Sequence, residues 1–391
     1  MDWFDEYLNE LTSERKVSYP PDQVTFKNSA KGKLIFDSFA ESEREHRLLI
    51  EKARRELETP RDSGGDSAYE RPYPPSLPVY ENDTIYLTSV KSSGNVEITL
   101  KSTTGFAVIT WWDGTRELGG TGVVPDNIVL SKAITNGAEP KDMVIYCCNG
   151  NNYNKTGTFT DIVINNQDLT KFNTGNCDGL VTLDLQYNSL TTIDLLKCDF
   201  LVYLDIAFNP DLSNLYIDNL SQLQIVHLND TVISDLELIS LEVLTEIDVT
   251  NTRIVNLNVS SADTLINIYG GGNSYLSSIT LGHQPYLTTL DVMNSTSLAS
   301  LDVSDCDSLQ YIGAHNCGLT SITVNGLVGL FSFCDVFIHD NYLTETTINS
   351  FFNNLGTIVS PGFANIDVSN NPGSSTCDKT IAEAKGWNVT V

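Results

Sequence analysis

Leu180-Val181-Thr182-Leu183-Asp184-Leu185-Gln186-Tyr187-Asn188 and Leu298-Ala299-Ser300-Leu301-Asp302-Val303-Ser304-Asp305-Cys306 carry one spacing of apolar residues, L-x-x-L-x-L, far apart in the chain. The spacing returns every 21 or 22 residues, its first apolar residue falling at Phe159, Leu180, Leu201, Leu223, Leu244, Leu265, Leu287, Leu309 and Leu330. A second copy begins about halfway through each period, at Leu169, Leu190, Leu212, Ile233, Ile254, Leu276, Leu298 and Leu319. Each half therefore supplies one short strand, and neither half can bury its apolar side alone. Stacked neighbours make the core continuous, so the spacing predicts a solenoid that displays a long surface.

Alternation along each strand divides core from surface. The sheet beginning at Leu180 should present Tyr203, Ile225, His227, Tyr269, Met293, Tyr311 and His315, together with Asp184, Asp205, Asp248 and Asp291. The opposite sheet should present mainly small polar residues, with Tyr216 and Ile239 as exceptions. Aromatic and His side chains in line make the better contact surface, so Tyr203, His227, Tyr269, Tyr311 and His315 are the candidate partner-binding residues. The competing reading is that cross-strand aromatic ladders only support the sheet. Cys177, Cys198, Cys306 and Cys317, like Asn188, Asn209, Asn273 and Asn341, stand three residues after the last apolar residue of a strand. That place should turn inward, with Cys acting as a small hydrophobe.

The chain has 391 residues and a formal net charge of -27. Between Leu180 and Asp340 the only basic residues are Lys197 and Arg253, a surface that repels phosphate and argues against nucleic acid and anionic membranes. No apolar run reaches the length of a transmembrane helix, so no membrane insertion is expected. The start, Met1-Asp2-Trp3-Phe4-Asp5-Glu6, lacks the basic and apolar regions of a secretory signal, and folding in the cytoplasm of the producing cell is the expectation. No metal-ligand cluster, cofactor loop or nucleophile–base motif is recognisable, so neither an enzyme nor a cofactor is expected.

Residues 1–58 read as a helical attachment region, in which Leu49, Ala53 and Leu57 recur at i, i+4 and i+8. That stripe is too narrow to close a private core, so it should dock on a partner or on copies of itself as a homo-oligomer. Residues 59–78 are a Pro/Gly linker. Residues 79–158 read as a small β domain, with β-rich runs at 85–87, 96–100, 106–109 and 143–146. Residues 159–341 are the repeats. Residues 342–391 read as a closing cap, with helices at 343–355 and 377–385 and strands near 366 and 387–391.

The two nested halves per period resemble the short leucine-rich repeats of bacteria and their phages, and Gly270 and Ala314 depart from the pattern by being small. Trp111-Trp112-Asp113-Gly114-Thr115 resembles the W-G-D-G-T turn of PKD-like β-sandwich domains, with Trp112 in place of the usual Gly. The fold expected is mostly β: a leucine-rich-repeat solenoid with two parallel sheets, preceded by a small β-sandwich-like domain and an N-terminal helical anchor. The function this implies is non-enzymatic display or adhesion at a virion surface, as capsid decoration or a fibre-like component. Other virion proteins would be met through residues 1–58, and a host surface protein or polysaccharide through the repeats. The alternative is a cytoplasmic leucine-rich-repeat module that binds protein.

Overall fold

The computed structural model describes residues 83–391 apart from 123–126, 135–138, 148–156, 176, 196, 218–219, 328–332 and 359–362. The expected N-terminal helix with Leu49, Ala53 and Leu57, and the linker 59–78, lie outside the described residues.

The repeat becomes a stack of coils. Leu183, Leu204, Val226, Ile247, Ile268, Leu290 and Ile312 are the middle residues of successive three-residue strands. They pair in parallel register from coil to coil and all are fully buried. These strands form the middle of a 13-stranded sheet that ends at Asn388–Thr390. The opposite side is also parallel but is laid down in short pieces. Asn256–Asn258 pairs with Ser278–Thr280, and Ser300–Asp302 with Ser321–Thr323. Between them and the first coil, single backbone bonds such as Val232 N to Leu212 O (3.0 Å) join the coils.

Asparagine supplies the second bonding system. Asn188 Oδ1 accepts the backbone N–H groups of Gln167 and Leu169, each at 3.0 Å. Its Nδ2 donates to the carbonyls of Ile164 (2.7 Å) and Leu185 (2.8 Å). Asn209, Asn341 and Asn371 repeat the arrangement. Each turn would otherwise bury unpaired backbone groups, at about 1–3 kcal/mol apiece. Where Thr231, Thr252 or Cys317 takes the place, the hydroxyl or thiol donates to a carbonyl instead. The inward Asn and Cys positions are thus as the spacing implies.

The segment before the repeats is joined to them by both sheets. Asn95–Ser102 pairs antiparallel with Phe159–Val163, extending the long sheet, which then ends at Ile128–Ala133. Thr84–Ser89 pairs antiparallel with Leu169–Asn173 within a 6-stranded sheet. A single cluster of buried side chains runs from Ile85 to Val389. Strands Arg116–Gly119 and Ile128–Ala133 join the four β-rich runs read from the sequence. The Trp111–Thr115 turn is tight: Gly114 N–H donates to Trp111 O at 2.9 Å, and Asp113 Oδ1 accepts from Thr115 N (3.0 Å) and Oγ1 (2.7 Å). Gly114 has φ +79°, which a Cβ would penalise.

The other end closes with helix α1, Glu345–Asn354, capped by Thr344 and burying Ile348, Phe351 and Phe352. Strand Phe363–Asp367, the short helix α2 (Thr380–Glu383) and strand Asn388–Thr390 complete it. Lys385 Nζ reaches the carbonyls of Phe352, Asn353 and Leu355 at 3.1, 2.6 and 2.8 Å, placing a cation on the orphan acceptors at the end of α1. One register differs from the sequence reading. Tyr311 pairs with Asp335, so the coil before the cap is longer than its predecessors, and Phe333 stands in the place assigned to Leu330.

Candidate functional site

The outer face of the long sheet is built from aligned rungs, because parallel strands in register stack each position on its own equivalents about 4.8 Å away. Asp184, Asp205, Asp248 and Asp291 occupy one such position. Each Oδ1 accepts the backbone N–H two residues on, from Gln186, Ala207, Thr250 and Met293, at 2.9 to 3.2 Å. Asp therefore closes the turn in these four coils, while His227, Tyr269 and Gly313 hold the same position in the others. Burial and the neighbouring Asp205 push the pKa of Asp184, fully buried, well above the carboxylate range. Burial, opposed by the Met293 N–H and reinforced by Asp248, holds Asp291 at about 6.

In the middle of the face lies an ion cluster. His227 Nδ1 is 3.2 Å from Asp205 Oδ2, and Nε2 is 2.9 Å from Glu246 Oε1. Tyr203 Oη donates to Asp205 Oδ2 at 3.2 Å, its ring standing edge-on to His227 with centroids 5.7 Å apart. Asn267 Nδ2 donates to Glu246 Oε2 at 2.9 Å. Burial opposes a charge on His227, but its bonds to Asp205 and Glu246 outweigh this and raise its pKa to about 10. The group is an imidazolium held between two carboxylates.

This corrects the reading of two candidate residues. Tyr203 and His227 do lie on the outer face, yet they are only 5% and 9% exposed. Large side chains on adjacent rungs cover one another, and the hydrogen bonds draw them down onto the sheet. Each leaves little of its side chain at the surface and is tied instead to the charges beside it.

Tyr269, Tyr311 and His315 are half-buried, and Tyr269 stands two coils before Tyr311 and His315, with strand Thr289–Asp291 between them. Glycine makes room for neighbouring side chains here. A Cβ at Gly313 would come within 2.8 Å of Tyr311 Cε1 and of Asp291 Oδ1, so the Tyr311 ring lies across the space that Gly313 leaves. Gly271 likewise faces Met293 Cγ at a distance that would crowd a Cβ (3.3 Å). Tyr311 packs on Phe337 with centroids 5.8 Å apart, and His315 stacks on His339 at 4.6 Å and 13°. Burial and the neighbouring His339 lower the His315 pKa, and its Nδ1 is buried without a hydrogen-bond partner. The result is a half-buried patch of stacked aromatic and imidazole rings. Gly271, Gly313, Phe337 and His339 were not singled out from the sequence, although glycine at an outward strand position was the available signal.

Elsewhere, a trough of about 350 Å³ lies on the 6-stranded sheet between Tyr86, Thr88, Asp142, Lys171 and Asp194. Thr88 Oγ1 already donates to Asp142 Oδ1 at 2.6 Å. Among the described residues no group of three or more His, Cys, Asp or Glu could hold a metal ion, and no helix is long and apolar enough to cross a membrane.

No family model matches the chain, and no curated protein is significantly similar to it. Two solved structures are similar in part. An internalin, InlF, from Listeria monocytogenes is 16% identical, with 59% of this chain and 82% of that chain covered and a TM-score of 0.25. The functional domain of InlJ from Listeria monocytogenes, which includes a cysteine ladder, is 13% identical, with 54% and 73% covered and a TM-score of 0.21. At such values the solenoid assignment rests on this chain's own registers and repeats.

Proposed function

We propose that the chain is a non-enzymatic adhesion or display protein, and that the patch around Tyr269, Tyr311 and His315 is where its solenoid meets a partner. The observation that carries this reading is the contrast along one face. The acidic and His side chains of the middle coils are tied to one another and closed off, whereas the rings of Tyr269, Tyr311 and His315 stay partly exposed towards the cap. Tyrosine suits contact with a protein or sugar, because it offers flat apolar area and a hydroxyl at low side-chain entropy. The acidic surroundings favour neutral or cationic partners.

In this reading the chain is a virion surface component, anchored through residues 1–58 to other virion proteins and assembled as a homo-oligomer. What supports it is the repeat type, whose two nested halves resemble the short leucine-rich repeats of bacteria and their phages. Mass spectrometry of purified particles from the source tests the location: recovery at stoichiometric levels supports it, and absence from particles rejects it. The contact surface is tested separately, by binding of labelled protein to host cells. Tyr269→Ser with Tyr311→Ser should reduce binding while the solenoid stays folded. Tyr216→Ser, on the opposite side and 76% exposed, should matter less. Equal effects from both would reject the patch as the contact surface.

A further inference from the structure

After the parallel strands of the long sheet, from Phe159–Val163 to Phe363–Asp367, the chain turns through one residue in the left-handed region. The ten rungs of this ladder are Asn166, Tyr187, Phe208, Asp230, Asn251, Gly272, Asn294, Asn316, Asp340 and Asn370, with φ between +50° and +71° in every case. The turn is not optional, because the N–H groups of the first nine donate to carbonyls of the next coil, as Tyr187 does to Ala207 O at 3.1 Å and Phe208 to Asn229 O at 2.9 Å. Eight rungs carry the residue types that tolerate this backbone. Their side chains bridge coil to coil, Asn251 to Asp230 (3.1 Å), Asn316 to Asn294 (2.8 Å) and Asn370 to Asp340 (3.0 Å). Tyr187 and Phe208 break both patterns. They are bulky residues in a conformation that disfavours them, which is strain of the kind kept at functional positions. Their rings stack at 4.3 Å and 5°, and Tyr187 stays 51% exposed.

We propose that the Tyr187–Phe208 stack is a docking platform for an arginine side chain of a partner protein. The charge around it selects that occupant. Asp230 is the next rung after Phe208, and its carboxylate is held in place by Asn229 and Asn251. Each of its oxygens keeps a second lone pair for a guanidinium. Exposed Asp168 and Asp211 lie in the adjoining turns, and Lys197 and Arg253 are the only Lys or Arg residues from Leu180 to Asp340. A planar cation can stack on the rings while its N–H groups meet a carboxylate, which an ammonium cannot do. The assignment rests on the chain being a protein-binding surface, but not on the patch at Tyr269 and Tyr311, whose variants leave this site intact.

The test uses the full chain and Tyr187→Asn/Phe208→Asn, which restores the polar ladder without changing net charge. Calorimetric titration at about 0.15 M salt compares tetra-arginine, tetra-lysine and cellotetraose. Tetra-arginine should bind the wild type roughly three- to tenfold more tightly than the variant, with a smaller difference for tetra-lysine and none for cellotetraose. The variant should melt at or above the wild-type temperature. Equal tetra-arginine affinities would overturn the proposal, and so would loss of cellotetraose binding alone, which marks a sugar platform. A variant that melts well below wild type or fails to fold shows the stack to be structural and also overturns it.

Discussion

Replacing His227 by Gln removes the cation from between Asp205 and Glu246 while keeping a side chain that can hydrogen bond. The folded-state pKa of about 10 lies above the ordinary 6.5. The stabilisation is therefore complete below pH 6.5 and is lost as pH rises through about 10. Such a difference corresponds to about 5 kcal/mol at its fullest and about 4 kcal/mol at pH 7. Urea unfolding of wild type and His227→Gln at pH 6, 8 and 10.5 reads it directly. The gap between them should be several kcal/mol at pH 6, shrink at pH 8 and nearly vanish at pH 10.5. The wild-type His227 ring should show no NMR titration between pH 5 and 8. A gap that is the same at every pH, or a ring that titrates near 6.5, would refute the ion cluster as the source of stability.

Three further outcomes are expected. Asp83 accepts Phe159 N–H at 2.6 Å, and its pKa is raised to about 7 by burial, which that bond opposes and Asp178 reinforces. Stability present below pH 3.8 is thus lost as pH rises through 7, and Asp83→Asn should gain up to about 4 kcal/mol over wild type above pH 8, with little gain near pH 4; thermal melts across pH check the slope. Asn209→Ala should cost about 2–3 kcal/mol in chemical denaturation, because the N–H of Leu190 and two carbonyls lose their partner inside the coil. Burial raises the thiol pKa of Cys306 to about 12 and that of Cys317 to about 11, so both should react with a thiol reagent only on unfolding; rapid labelling of the native protein would contradict their core position.

The apolar period made the core legible, since Leu183, Leu204 and Val226 each follow from the spacing alone. The inward Asn and Cys places were legible for the same reason. Exposure on the outer face was not. Alternation says which way Tyr203 and His227 leave the strand, but burial depends on what stands on the adjacent rungs, 21 to 24 residues away. Glu246 entered the site in that way, by stacking on a neighbouring strand. The seat of the Tyr311 ring was hidden because it is the space that Gly313 leaves. The break at residue 158 was drawn where the repeat begins, yet pairing of Thr84–Ser89 with Leu169–Asn173 depends on contacts no local pattern encodes. Tyr187 and Phe208 were readable in principle, as two aromatics in a column otherwise of Asn, Asp and Gly.

The place of Thr84–Ser89 has a mechanical consequence. It is the first described strand, and it is held antiparallel on both sides, by Lys141–Cys147 and by Leu169–Asn173. A load applied to the chain ahead of Asp83 therefore meets two rows of hydrogen bonds at once, one of them to the first coil of the repeats. Peeling a single edge is not available as a first step. Tension from that side passes directly into the stacked coils, and the segment before them acts as a splice more than as a hinge.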